Sequence, residues 1–174
     1  PQLLQRATII YEYSGLQPDD QRTMQNLSLI LNEKVPKVTR VTQKTFGFEQ
    51  YEDRVIKLSL HDKNLDYLPE IITNLDQLKW LMLSKNNLTY LPDEIGRLTL
   101  LEKMDLSHNQ LKFLPYSFGA LENLTNLKLN HNQLRELPDS FEHLTNLQYF
   151  YLKHNNLPDL PGEIWALTKL RNLP

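Results

Sequence analysis

An interval of 23 residues governs this chain. Asn86, Asn109, Asn132 and Asn155 follow one another at that spacing without a slip, and so do Pro69, Pro92, Pro115, Pro138 and Pro161. The wording between them is nearly constant: LSKNNLTYLP from Leu83, LSHNQLKFLP from Leu106, LNHNQLRELP from Leu129 and LKHNNLPDLP from Leu152. A looser copy, LSLHDKNLDYLP, starts at Leu58. A chain that repeats at a fixed interval of this size folds as stacked copies of one small unit, because a single unit cannot bury its own apolar face.

Aligning the copies on their asparagines gives the frame L-x-x-L-x-L-x-x-N-x-L-x-x-L-P-x-x-[IF]-x-x-L-x-x. The second copy fills it with Leu78, Leu81, Leu83, Asn86, Leu88, Leu91, Pro92, Ile95 and Leu98. This frame resembles that of the leucine-rich repeat family, in the 23-residue class of Ras-group-related intracellular repeat proteins and of the repeat regions of Roco-type GTPases. The resemblance covers Val55 to the end of the chain. It implies an α/β fold, a right-handed solenoid with a short parallel sheet on its concave face, and a protein-binding role.

Elementary chemistry leads to the same architecture. The pairs Leu58/Leu60, Leu81/Leu83, Met104/Leu106, Leu127/Leu129 and Phe150/Leu152 alternate with polar residues, the pattern of a short strand buried on one face. The other leucines recur at three-residue steps and point inward from each coil. After each strand the chain turns into the core and leaves backbone groups that no sheet partner reaches. A buried asparagine offers both donors and an acceptor, so Asn86, Asn109, Asn132 and Asn155 form a structural ladder. Lys63 takes the ladder position in the first copy, which predicts a more open edge there, and Asn64 beside it is not a substitute. The prolines fix φ without donating, which suits an extended or helix-starting segment on the convex side.

Residues 1–54 do not fit the frame and are expected to form an N-terminal capping segment, with 55–174 as the solenoid of five repeats and the start of a sixth. Within 1–54, DDQRTMQNLSLILNEK predicts an amphipathic helix starting near Asp19 or Asp20 and burying Met24, Leu27, Ile30 and Leu31, with Pro36 as its stop. VTRVTQKTFGFEQYEDRVIKL predicts two or three short strands turning near Gly47 or Glu52-Asp53. LLQRATIIYEY, from Leu3 to Tyr13, reads as a further helix or the remnant of a preceding domain. At the other end Leu167, Leu170 and Leu173 stay in phase with no polar cap after them. That leaves removed repeats, a covering chain or self-association through this end as readings, and the chain itself as a fragment or a mature product.

Bulk properties narrow the function. A formal charge of −2 and a sequence pI near 6.2 argue against nucleic acid or anionic membrane as partner. The absence of cysteine removes disulfides and thiolate chemistry, and with the lack of a signal peptide or apolar span makes a cytoplasmic protein the expectation. No phosphate-binding glycine loop, G-x-S-x-G or H-E-x-x-H occurs, so neither catalysis nor a cofactor is expected of this segment. His108, His131 and His154 share one position in successive coils, and three stacked imidazoles would be a metal site or a pH-responsive surface. An exposed position without a carboxylate nearby favours plain surface instead, and no metal is expected. The triplets N-x-[ST] at Asn26, Asn87 and Asn123 are mostly the repeat's own wording and carry no glycosylation reading.

Function then falls to the strand positions that the frame leaves free. Trp80 with Met82, and Tyr149 with Tyr151, place large apolar side chains on a sheet predicted to face solvent. Lys57, Lys85, Lys103, Lys128 and Lys153 stand against Asp62 and Asp105 on the same face, five cations to two anions, while the loop and convex positions are mainly acidic. The predicted partner-binding set is Lys57, Trp80, Met82, Lys103, Asp105, Lys128, Tyr149, Tyr151 and Lys153. It suits a protein partner with acidic groups around an apolar or aromatic centre. Tyr67, Tyr90 and Phe113 form a further column, expected to stack on itself along the solenoid. Five short strands offer only a few hundred Å², below the roughly 800 Å² per partner of a standard interface. A tight partner must therefore also touch the loops. The leading function is a non-catalytic protein-binding module; its alternatives are the recognition or regulatory arm of a larger enzyme, such as a GTPase or ubiquitin ligase, and a self-associating solenoid.

Overall fold

The computed structural model describes residues 13–159 and 162–172. Most of the segment Leu3–Tyr13, together with Pro161 and Leu173, lies outside those residues. Among the described residues the helix α1 (Pro18–Ile30) precedes a six-stranded sheet of β1 (Phe46–Tyr51), β2 (Arg54–Leu60), β3 (Trp80–Met82), β4 (Lys103–Asp105), β5 (Asn126–Lys128) and β6 (Tyr149–Tyr151). The strands lie side by side in chain order. β1 and β2 are an antiparallel hairpin, and every later pair is parallel. The result is an α/β solenoid of the leucine-rich-repeat type.

Each coil repeats one path. The inward residues of the strands, from Leu58 and Leu60 through Phe150, are shielded from solvent, as are the leucines at three-residue steps behind them. They form one continuous core from Tyr13 to Leu167. The prolines resolve in favour of a helix start. Pro69, Pro92, Pro115 and Pro138 each precede a 3-10 helix of five residues on the convex side. Their φ values of −59° to −68° are those the ring imposes, and each carbonyl accepts the N–H three residues on. A proline thus sets the corner at no cost in hydrogen bonds, since its missing N–H is not needed there.

The asparagines bind coil to coil. Asn109 donates from Nδ2 to the carbonyls of Leu83 and Leu106, both at 3.0 Å, and accepts the Leu88 N–H at 3.0 Å. Asn132 does the same for Leu106, Leu129 and Leu111, and Asn155 for Leu129, Leu152 and Leu134. Asn86 accepts two N–H groups, from Lys63 and Leu65, and donates to Leu60 and Leu83. Each amide therefore satisfies backbone of its own coil and of the one before it.

The first edge is closed, contrary to the expectation from Lys63. Its ammonium donates to Glu33 at 2.7 Å and lies 3.6 Å from the centroid of the Phe46 ring, so this departure from the ladder ties the first coil to the segment before it. The helix α1 buries Met24 and Leu27 in the common core, together with the polar residues Asp20, Thr23 and Ser28. Ile30, predicted on that face, is instead 45% exposed, because the buried stripe runs through positions 20, 23, 24, 27 and 28. Nor does Pro36 end the helix. Asn32 does so at φ 47°, with Asn32 N–H on Leu29 O and Glu33 N–H on Ser28 O, a Schellman closure in which asparagine tolerates the left-handed turn. The hairpin turns at Glu52-Asp53 and not at Gly47, which sits within β1 at φ 139°. A Cβ there would stand 2.5 Å from the Pro36 carbonyl, so that glycine lets the 36–38 segment lie against β1.

Candidate functional site

Parallel pairing sorts the free strand positions into rows across the sheet. Lys57, Trp80, Lys103, Asn126 and Tyr149 stand in one, and Ser59, Met82, Asp105, Lys128 and Tyr151 in the next. The register brings neighbouring coils within side-chain reach. Lys57 Nζ lies 4.3 Å and Lys103 Nζ 4.1 Å from the centroid of the Trp80 ring, one from each flanking strand. Trp80 is therefore clad by two ammonium groups rather than presented as bare apolar surface. Lys128 Nζ stands over Tyr151 at 5.7 Å, a looser version of the same contact.

The two lysines on Trp80 differ in charge balance. Lys57 donates to Glu49 of the hairpin at 2.8 Å, and Glu49 also accepts the Val41 N–H. Burial alone would raise the Glu49 carboxyl, but these two donors hold it below the usual carboxylate range. Lys103 and Lys128 make no ion pair among the described residues.

Two of the predicted contact residues are not surface. Met82 and Asp105 are each 5% exposed, and Ser59, Ser84 and Ser107 of the same face are buried as well. The concave side crowds its inner rows, and the loop 40–44 stands over them. That loop and the strands enclose a pocket of about 480 Å³, lined by Arg40, Val41 and Lys44 on one wall and by Trp80, Lys103 and Lys128 on the other. Val41 is 1% exposed, yet it belongs, like Met82, to no part of the main core: both are buried at this pocket. Asp105 turns its carboxylate inward to accept the Ser107 N–H at 3.0 Å. The loop was not visible as part of the site in the sequence. Its only signals are one apolar residue, Val41, between Arg40 and Lys44 in a polar run, and the hairpin that follows it.

Farther along, Tyr149 is 37% exposed, Tyr151 is half-buried and Lys153 is exposed. Tyr149 and Tyr151 stand beyond the pocket on the last described strand, with Lys153 following it. Behind the sheet edge, Asp62, Lys85, His108, His131 and His154 all adopt φ between 56° and 59°, the left-handed turn into the ladder position, held by Lys63 in the first coil and by asparagine in the others. The three imidazoles stack face to face, with centroids 4.3 Å apart in both pairs. Stacked rings direct their nitrogens sideways rather than to a common point, and no group of His, Cys, Asp or Glu among the described residues has metal-holding geometry. The pKa of the central ring, His131, lies below the ordinary value, first through desolvation and then through repulsion by His108 and His154.

The column of Tyr67, Tyr90 and Phe113 does not stack as predicted. Each ring is about half exposed, at 50%, 48% and 53%, and among the described residues none makes a ring contact with the next. The phenylalanine contacts lie inside instead, where Phe118 stacks on Phe141 at 6.4 Å and Phe141 meets Phe150 at a tilt at 5.1 Å. No helix among the described residues is long and apolar enough to cross a membrane.

Residues 48–174 match a family model described as a leucine-rich repeat region. A solved leucine-rich repeat protein of Leptospira interrogans is 38% identical over 66% of this chain, with a TM-score of 0.65. The matched part spans 29% of that protein's length. A search of curated proteins found none that matches.

Proposed function

Because the chain belongs to the leucine-rich repeat family, we propose that it is a non-catalytic protein-binding module that takes its partner on the concave face. The observation that carries this reading is the clad Trp80, with Lys57 and Lys103 on its two sides and a pocket of about 480 Å³ beside it. A sheet that had only to stay in water would need neither a tryptophan nor a ring of cations there. The contacting side chains in this reading are Lys57, Trp80, Lys103, Lys128, Tyr149, Tyr151 and Lys153. Met82 and Asp105 serve as the floor beneath them, since both are buried. The partner presents acidic groups around an apolar or aromatic centre, which suits Lys103 and Lys128, neither ion-paired among the described residues.

In this reading residues 1–54 cap the solenoid and contribute the loop 40–44 as a wall of the site, with 55–174 as the repeat body. The burial of Met24 and Leu27 in the common core supports the division of labour. The 23-residue period, similar to that of the intracellular repeat class, supports a cytoplasmic setting. Affinity capture tests the function: the Trp80→Ala/Tyr151→Ala double variant loses the proteins held by the parent while its circular dichroism is unchanged. Equal capture by both would defeat the concave-face reading.

A further inference from the structure

The pocket beneath the loop 40–44 is strongly charged. Arg40 and Lys44 line it from the loop, and Lys103 and Lys128 from the sheet, against the single carboxylate of Asp105. That carboxylate is 5% exposed and engaged with the Ser107 N–H, so it faces an occupant only weakly. Four cations around one opening repel each other unless an anion joins them, and a chain of net charge −2 has ample acid with which to neutralise them. Among the described residues Glu49 pairs with the neighbouring Lys57 and acts on Arg40 at longer range, and no carboxylate forms an ion pair with the four lining cations.

The pocket is also prepared in shape. The loop is tied down by the Val41 N–H on Glu49, by the Thr42 and Thr45 hydroxyls on each other and by burial of Val41. Opposite it, the Trp80 ring fixes the Lys103 ammonium at 4.1 Å from its centroid, which limits the freedom that a surface lysine would lose on binding. The floor is apolar where Met82 and the Trp80 ring line it, Met104 of the same sheet being turned into the core. Cations at the rim and a thioether below accept an apolar side chain flanked by carboxylates.

Resting on the concave-face reading above, we propose that this pocket binds an extended acidic peptide segment of the partner protein, carboxylates on Arg40, Lys44, Lys103 and Lys128 and an apolar side chain against Met82 and the Trp80 ring. Trp80 is the built-in reporter, for the chain has only one other tryptophan, Trp165. The experiment titrates the full chain carrying Trp165→Phe with the acetylated, amidated peptide Glu-Glu-Leu-Glu-Glu and follows Trp80 fluorescence.

A saturable change is expected, with a Kd at or below about 1 mM. The peptide Gln-Gln-Leu-Gln-Gln should bind at least about tenfold more weakly. Lys128→Glu, which leaves the Trp80 cladding in place, should weaken the acidic peptide at least about tenfold. The Lys103→Glu/Lys128→Glu variant should favour Lys-Lys-Leu-Lys-Lys instead, with circular dichroism reporting that each variant is folded. No saturable change, equal binding of the glutamine peptide, or the same saturation by inorganic phosphate alone at the same concentration would each overturn the assignment. If the peptide fails while the Trp80→Ala/Tyr151→Ala pair still abolishes capture, this pocket is wrong and the concave face stands; if capture is also indifferent, both fall.

Discussion

Asp20, in the first turn of α1 and fully shielded from solvent, accepts the backbone N–H of Val55 at 2.6 Å. Residues 35 apart in sequence are joined here by a carboxylate that also takes Arg54 Nε at 3.3 Å and Nη2 at 3.2 Å. Arg54 continues to Asp76 in the loop before β3. The helix, the hairpin and the first full coil thus share one charged knot.

Replacing Asp20 by alanine should cost about 3 kcal/mol or more, because it strands a buried N–H and leaves Arg54 with one partner. Thermal denaturation should show Tm lowered by about 6–12 °C for a chain of this size. Asp76→Ala, whose carboxylate is well exposed, should cost no more than about 1 kcal/mol. A comparable loss from both would mean that the knot is not centred on Asp20.

The ladder makes a graded prediction. Asn109 is 7% exposed and Asn155 is less deeply buried, although both make the same three contacts. Asn109→Ala should therefore cost about 2–3 kcal/mol and Asn155→Ala about 1 kcal/mol, the latter because water can reach the released groups. Urea denaturation with an unchanged slope would read both as shifts of midpoint.

What the sequence discloses and what it hides divide along a physical line. The leucines, asparagines and prolines of the repeat carry their roles in their spacing, since each is dictated by its own coil and the next. The fold and the face of the sheet were therefore legible from residues such as Leu81 and Asn109. Met82 and Asp105 do not read as buried in the sequence because the loop 40–44 that stands over them lies roughly two to three coils away in sequence and obeys no period. Asp20 was legible as a helix-start residue but not as the partner of Val55 and Arg54, for the same reason. The cladding of Trp80 by Lys57 and Lys103 emerges only when the register puts three strands side by side.

On the convex side, Gly119 meets Ser140 of the next coil so closely that an added Cβ would run into the Ser140 carbonyl and side chain. Gly96 meets Ser117 in the same way, with a Cβ 2.6 Å from the Ser117 carbonyl. The φ of neither is left-handed, so the demand is for space rather than for backbone freedom. Gly119→Ala should destabilise by about 1–3 kcal/mol through overpacking. Ser140→Gly in the same background should not restore the loss fully, because the carbonyl remains; full rescue would assign the clash to the side chain.

The histidine column predicts a pH response. In the folded chain His131 lies below its ordinary value of 6.5, through desolvation and through the rings of His108 and His154 stacked on it, whereas in the unfolded chain it is free of both. Between the two values the unfolded state binds more protons, so stability rises with pH. The contribution of His131 is fully present above about pH 6.5 and is lost progressively as pH falls below that value towards the depressed one. NMR titration of the imidazole carbons should place His131 below 6.5 and, in the His108→Gln/His154→Gln variant, move it upward. Lys85, one coil before His108 in the same left-handed column, adds a fixed positive charge at that end, so Lys85→Gln tests how far the repulsion travels. An unchanged His131 titration in the double variant would mean that the stack has no electrostatic consequence.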